Sequence, residues 1–176
     1  MSELKQLHCT HDRHAAAILA IFNDAIIHST ALYDYKARTA ESMLAWFAAK
    51  QQGNYPVIGL ENAAGELLGF ASYGAFRAYP AYKYTMEHSV YVRNDQRGKG
   101  LGKRLMQAVI AEAQRNNVHA LVGAIDAANA GSISLHEGLG FKSVGLMPQV
   151  GFKFGRWLDL ALYQLLLPTP AQPVDG

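Results

Sequence analysis

Gln96-Arg97-Gly98-Lys99-Gly100-Leu101-Gly102-Lys103-Arg104 sets three glycines among four cations. Glycines let backbone N–H groups crowd around an anion, Arg and Lys add countercharge, and a helix opening near Leu101 would point its positive end the same way. The chemistry that suits such a segment is the holding of a polyphosphate. Upstream, Glu87-His88-Ser89-Val90-Tyr91-Val92 carries a carboxylate and an imidazole, the side-chain types that move protons. Downstream come Asn129, Ser132 and His136.

Three phosphate-binding patterns compete for the glycine segment. A P-loop needs Gly-Lys followed by Ser or Thr, whose hydroxyl holds magnesium; here Gly follows, so an NTPase is disfavoured. The dinucleotide pattern G-x-G-x-x-G begins correctly at Gly98 and has Asp126 at a plausible distance, but Lys103 takes its third glycine position. Four polar residues, Arg93 to Gln96, also separate the apolar run from the first glycine, so a nicotinamide dinucleotide suits it less. The third pattern, Arg/Gln-x-x-Gly-x-Gly/Ala, is met by Arg97, Gly100 and Gly102.

The elements that must position these residues follow from periodicity. A strand is expected near Leu4 to Cys9, then a helix carrying Ile18, Ile21, Phe22, Ala25 and Ile26, capped by Thr10 or Asp12. A second helix after Thr39 packs Met43, Leu44 and Phe47 and ends near Gly53. Tyr55 to Leu60 and Glu66 to Tyr73 form a hairpin across Asn62-Ala63-Ala64-Gly65. Tyr84 to Val92, the helix from Leu101 and Ala120 to Ile125 make a right-handed βαβ unit. A helix from about Ala130 to Leu139 and strands near Phe141 to Gly151 and Arg156 to Leu166 complete an α/β fold with antiparallel edges. In such a unit the ligand lies at the carboxyl ends of the strands, where the glycine loop sits.

The Arg97/Gly100/Gly102 pattern resembles the acetyl-CoA loop of the GNAT superfamily of N-acetyltransferases. The element order and the strings Gly69-Phe70-Ala71-Ser72-Tyr73-Gly74, Glu87 to Val92, His136-Glu137-Gly138-Leu139-Gly140-Phe141 and Gln149 to Trp157 are similar to the phosphinothricin and methionine sulfoximine acetyltransferase branch. The likeness spans roughly Asp12 to Gln164. It implies a mixed, mostly antiparallel sheet of about seven strands flanked by helices, with a central βαβ unit that binds acetyl-CoA. The two parallel strands would splay apart, with the cofactor arm lying between them.

The resemblance also implies roles. Val90, Tyr91, Val92, Arg97, Gly98, Lys99, Gly100, Leu101, Gly102, Lys103, Asn129 and Ser132 would hold acetyl-CoA. Arg77, Ala78, Tyr79, Glu87, His88 and Ser89 would bind an amino-acid acceptor, Arg77 through its carboxylate. Tyr33 and Phe76 stand where close relatives often carry Trp, which leaves the pocket's shape and preferred amino acid open.

An α-amino group is mostly protonated at neutral pH, so a base must take its proton, and Glu87 is the candidate. On a regular strand Glu87 and His88 face opposite ways, and only a bulge would turn both into one cleft. His136, two helical turns after Asn129, is the candidate acid for the leaving thiolate. Direct attack within a ternary complex is expected, because Cys9 lies far from every motif in the sequence. A peptide N-terminus or a polyamine is an alternative acceptor, and a non-catalytic acyl-CoA sensor an alternative function.

Composition bounds the rest. The 176 residues, 50% hydrophobic, suit one domain, 1–167, with a flexible tail over 168–176 that holds three of the six prolines. A formal net charge of +2 does not suggest nucleic acid or a membrane as partner. The single cysteine fits a reducing, cytoplasmic setting. His8, Cys9, His11, Asp12 and His14 match no closed zinc pattern, and no metal is expected. The resemblance implies a homodimer built on the late strands.

Overall fold

The computed structural model describes residues 4–176. Along the chain these form β1 (Lys5–His8), α1 (His11–His28), α2 (Ala40–Gln52), β2 (Val57–Glu61), β3 (Leu67–Ala75), β4 (Thr85–Val92), α3 (Leu101–Arg115), β5 (Ala120–Asp126), α4 (Ala130–Glu137), β6 (Lys142–Lys153) and β7 (Arg156–Leu166). The strands are hydrogen-bonded in the order β1-β2-β3-β4-β5-β7-β6, a mostly antiparallel seven-stranded sheet in which β4 and β5 run parallel. Parallel neighbours need a long crossover, and the chain supplies it as loop and α3. Among the described residues no helix is long and apolar enough to cross a membrane.

The described residues group into two compact units. One holds the described residues up to Tyr73 with Ser89–Val109, the other Gly74–His88 with Ile110–Gly176. In the first, β1, β2 and β3 are antiparallel neighbours. The apolar stripe of α1 buries Ile18, Ile21 and Phe22 with Met43, Val57, Leu67 and Phe70. Phe22 meets Trp46, Phe70 and Tyr91 edge-on at 5.5, 5.0 and 5.3 Å, contacts worth about 0.5–1.5 kcal/mol each beyond their buried area. Leu44, expected inside, is 59% exposed, and Trp46 turns to Phe22 in its stead.

The first helix starts differently from the expectation. Thr10 occupies the N-cap position, but its hydroxyl makes no capping bond. The Thr10 N–H donates instead to Nδ1 of His14 at 2.9 Å, while the other nitrogen of this buried ring lies 3.1 Å from the Glu61 carboxylate. Arg13 reaches the same Glu61 oxygen at 3.1 Å. Among the described residues no three His, Cys, Asp or Glu side chains are grouped to hold a metal ion.

In the second unit β5 is a near-continuous buried run, as a strand covered on both faces should be. It pairs with β7 from Ala120↔Leu166 to Asp126↔Leu160. Phe154 and Gly155 both have positive φ, 52° and 71°, the backbone a tight β6–β7 hairpin turn requires. β6 is last in the strand order, and its Val144, Leu146, Val150 and Phe152 are exposed. Residues 168–176 form no helix or strand. They are hydrogen-bonded at two places: Thr169 Oγ1 donates to the Val118 carbonyl at 2.6 Å, and Val174 N donates to the Tyr84 hydroxyl at 3.2 Å.

Candidate functional site

In the first unit β4 delivers Ser89 to Val92, and the Arg93 N–H donates to the Leu68 carbonyl at 2.9 Å. The Tyr91 ring is spent in the aromatic core against Phe22 and Phe70, which leaves its backbone as the part a ligand could meet. β3 comes close here because residue 69 is glycine: a Cβ there would lie 2.8 Å from the Tyr91 carbonyl oxygen.

After a short turn the chain passes through Arg97, Gly98, Lys99 and Gly100, all exposed, into α3. Gly98 and Gly100 have φ of +76° and +78°, and nothing lies within 4 Å of a Cβ at either. Backbone conformation alone therefore demands glycine, and left-handed residues of this kind are the ones from which backbone anion nests are built. Lys99 Nζ donates to Gln96 Oε1 at 2.9 Å, and Arg104 is drawn off to the Leu4 carbonyl at 3.1 Å. Arg97 and Lys103 form no ion pair among the described residues, so their charge is available to an anion. Leu101 is buried at the base of α3, whereas Lys103 stands in its first turn, exposed.

In the second unit the pairs Thr85↔Ala120, Met86↔Leu121 and Glu87↔Val122 are regular, and the β4–β5 ladder ends there. No bulge interrupts it, so Glu87 is exposed and His88 buried, on opposite faces. Partial desolvation raises the Glu87 carboxyl above its usual range, while the Arg77 guanidinium acts to lower it. Arg77, Ala78 and Tyr79 are exposed in the loop before β4, and Arg77 lies over the Phe76 ring at 5.1 Å.

His88 and His136 meet inside this unit. Their Nε2 atoms are 2.8 Å apart, and only 6% and 3% of the two residues is exposed. Nδ1 of His136 donates to the Ser132 carbonyl at 2.7 Å, so both of its nitrogens have protein partners. Burial, reinforced by mutual repulsion, drives His88 down to about 3; burial also lowers His136, against the pull of the Ser132 carbonyl. Both rings are thus neutral near pH 7. Phe141 packs against both at 5.0 and 5.1 Å. Asn129 caps α4, accepting from Ser132 N at 3.0 Å.

The sequence reading missed Gly123, which makes the histidine pair possible. A Cβ on it would stand 3.0 Å from His88 Cε1 and 3.2 Å from Nε2 of each ring. The available signal was a lone glycine inside a strand, which marks a close approach. A cavity of about 710 Å³ in the first unit, walled by Arg13, His14, Asp24, Glu61 and Arg93, contains none of the predicted site residues.

Residues 12–141 match the family described as Acetyltransferase (GNAT) family. An L-methionine sulfoximine/L-methionine sulfone acetyltransferase from Pseudomonas paraeruginosa is 51% identical over 157 residues, 89% of this chain and 91% of the relative. A phosphinothricin N-acetyltransferase from Alcaligenes faecalis is 34% identical over 167 residues, covering 92% and 84%. A Salmonella typhimurium structure, named as an acetyltransferase with its cofactor acetyl-CoA, superposes with a TM-score of 0.93 at 42% identity, covering 98% of this chain and 99% of its own.

Proposed function

The chain belongs to the GNAT family of acetyltransferases, and on that premise we propose that it transfers acetyl from acetyl-CoA to the α-amino group of a small amino acid or analogue. Methionine sulfoximine, methionine sulfone and phosphinothricin are the analogues that the relatives' activities favour. The observation that carries the reading is the loop Arg97 to Lys103, with its two left-handed glycines, its uncommitted cations and the α3 N-terminus behind them.

The backbone of Val90, Tyr91 and Val92 would hold the pantetheine arm, and residues 97–103 the pyrophosphate. Asn129 and Ser132 would meet the cofactor at the start of α4, a contact compatible with the capping bond they already form. Arg77 would take the acceptor's carboxylate, with Ala78, Tyr79, His88 and Ser89 around it. Glu87, held ionised in part by Arg77, takes a proton from the ammonium directly or through water. The amine nitrogen then attacks the thioester carbon, and the C–S bond breaks with its electrons on sulfur. On the sequence reading His136 would supply the thiol's proton, although both of its ring nitrogens already have protein partners. Amine, thioester, base and acid suffice for this chemistry, so no metal is called for. The setting is cytoplasmic, in keeping with a lone cysteine, and the protein is a homodimer through β6 and β7.

The test is a panel of amines offered with acetyl-CoA and scored by free thiol. Methionine sulfoximine, methionine sulfone and phosphinothricin should release thiol fastest. Faster release with peptide N-termini or polyamines would move the acceptor. Tight acetyl-CoA binding without release from any amine would replace the enzyme by a sensor.

A further inference from the structure

We infer that the proton-exchanging member of the histidine pair is His88, through its Nδ1, and that His136 is a positioning residue that fixes His88 in the required tautomer. This rests on the acetyltransferase reading above.

The tautomers follow from counting protons. The Ser132 carbonyl can only accept, so His136 carries its proton on Nδ1. A neutral ring then has a bare Nε2. The 2.8 Å contact between the two Nε2 atoms needs one proton, which His88 must supply. His88 is therefore protonated at Nε2 and bare at Nδ1. That Nδ1 is the one buried side-chain nitrogen or oxygen without a hydrogen-bond partner among the described residues. Native interiors seldom leave such an atom unpaired without a use for it. His136, with both nitrogens occupied, has no position left at which to meet a thiolate.

Position along the strand agrees. Glu87 is the last β4 residue paired with β5, and His88 stands at the first step where the ladder is open. A group that reaches this step of β4 is met from both faces of the strand. Glu87 can serve it from the exposed face and His88 from the buried one. The bulge otherwise needed to bring the two side chains together is not required. The groups packed on His88 are His136 and Phe141, with Gly123 of β5 opposite. None of them competes for Nδ1.

Acetylation of an ammonium group releases two protons, of which the thiolate retains one. Glu87 passes one to solvent. The other moves to His88 Nδ1, directly or through one water, as the attacking nitrogen sheds it. The resulting charge spreads across the Nε2–Nε2 contact to His136, whose Nδ1–H is braced by the Ser132 carbonyl. The same proton returns from His88 Nδ1 to the thiolate as the C–S electron pair settles on sulfur. The pair ends neutral, and the products are amide and free thiol.

His88→Gln keeps an N–H donor toward His136 but has no nitrogen that titrates. The relay predicts a fall in kcat of about 100-fold or more, the usual scale of acid–base catalysis, with the KM of acetyl-CoA within about threefold of wild type. Nitrogen-15 NMR of the histidine-labelled wild-type protein at pH 7 should show His136 protonated at Nδ1, and His88 at Nε2 with a bare Nδ1. A His88→Gln enzyme as fast as wild type, or a His88 ring protonated at Nδ1, overturns the relay. If His88→Gln does not fold, the wild-type spectrum still decides. Absence of thiol release from the wild-type protein with every amine would instead count against the acetyltransferase reading.

Discussion

Gly123 lies so close to His88 that a Cβ on it would stand 3.0 Å from the ring's Cε1. β5 cannot yield, because its ladder to β7 runs the length of the strand, so the rings would have to move. Gly123→Ala should therefore cost about 1–3 kcal/mol, the range for overpacking a filled interior. It should lower kcat more than it changes either KM. Denaturant unfolding and steady-state kinetics check both, and a variant as stable as wild type would show that the pair is loosely seated.

Two neutral buried histidines make the fold sensitive to acid. An unfolded histidine takes a proton near pH 6.5, whereas folded His88 resists until about 3, because burial and then the neighbouring ring oppose its charge. Between those values the unfolded chain binds more protons, so stability is fully present above about pH 6.5 and falls as pH drops towards 3. His136, lowered in the same direction, adds to the slope. Unfolding measured at several pH values between 7.5 and 4.5 should show this decline, and His88→Gln should flatten it. Parallel curves for the two proteins would contradict the assignment.

Most of the scaffold was legible because it rests on local signals. The α3 start at Leu101 and the α2 stop near Gly53 fall where glycine placement put them. β6 runs on to Lys153, past the expected Gly151, because hairpin pairing with β7 outweighs a glycine. The alternation of Glu87 and His88 also followed from strand period. What could not be read was the contact between residues 48 apart, His88 and His136. Nothing local links them, and their meeting depends on a glycine on a third element. The same holds for His14 and Glu61, 47 apart, where a long-range hydrogen bond holds the ring that takes the Thr10 N–H in place of the expected hydroxyl cap.

At Gly100 the demand is conformational, since φ is +78° and nothing crowds a Cβ. Gly100→Val puts a β-branched residue in the left-handed region, at a cost of about 1–3 kcal/mol of backbone strain. Relief of that strain would turn the loop's N–H groups away from the anion. The KM of acetyl-CoA should rise by about tenfold or more while the amine KM stays near wild type. Isothermal titration with CoA alone gives an independent measure, and undiminished CoA affinity would mean the pyrophosphate is held elsewhere.

Glu87 and Arg77 offer a charge test. Arg77 holds the carboxyl below where desolvation alone would put it. Glu87→Gln should cut kcat by about 100-fold or more, as loss of a general base does. Arg77→Gln removes the lowering influence, so the carboxyl rises and the acid limb of kcat/KM should move to higher pH. It should also raise the KM of acceptors that carry a carboxylate. A limb that stays in place in Arg77→Gln would mean that the limiting base is not Glu87.

The outer strand β6 carries a surface unusual for an unpaired edge. Val150 and Phe152, and Phe154 in the turn that follows, are 47%, 46% and 57% exposed, while Gly151 and Lys153 between them are buried. Trp157, at the start of β7, is 59% exposed beside Phe152, their ring centres 5.1 Å apart. Edges left open in this way, with no charge directed outward at those positions, invite another chain, and apolar patches of this kind mark association surfaces. Because β6 ends the strand order, a second copy could add against it without disturbing β7. Phe152→Glu with Trp157→Glu should convert a dimer to a folded monomer in sedimentation equilibrium, with far-ultraviolet circular dichroism unchanged. A wild-type protein that sediments as a monomer across micromolar concentrations would remove the dimer.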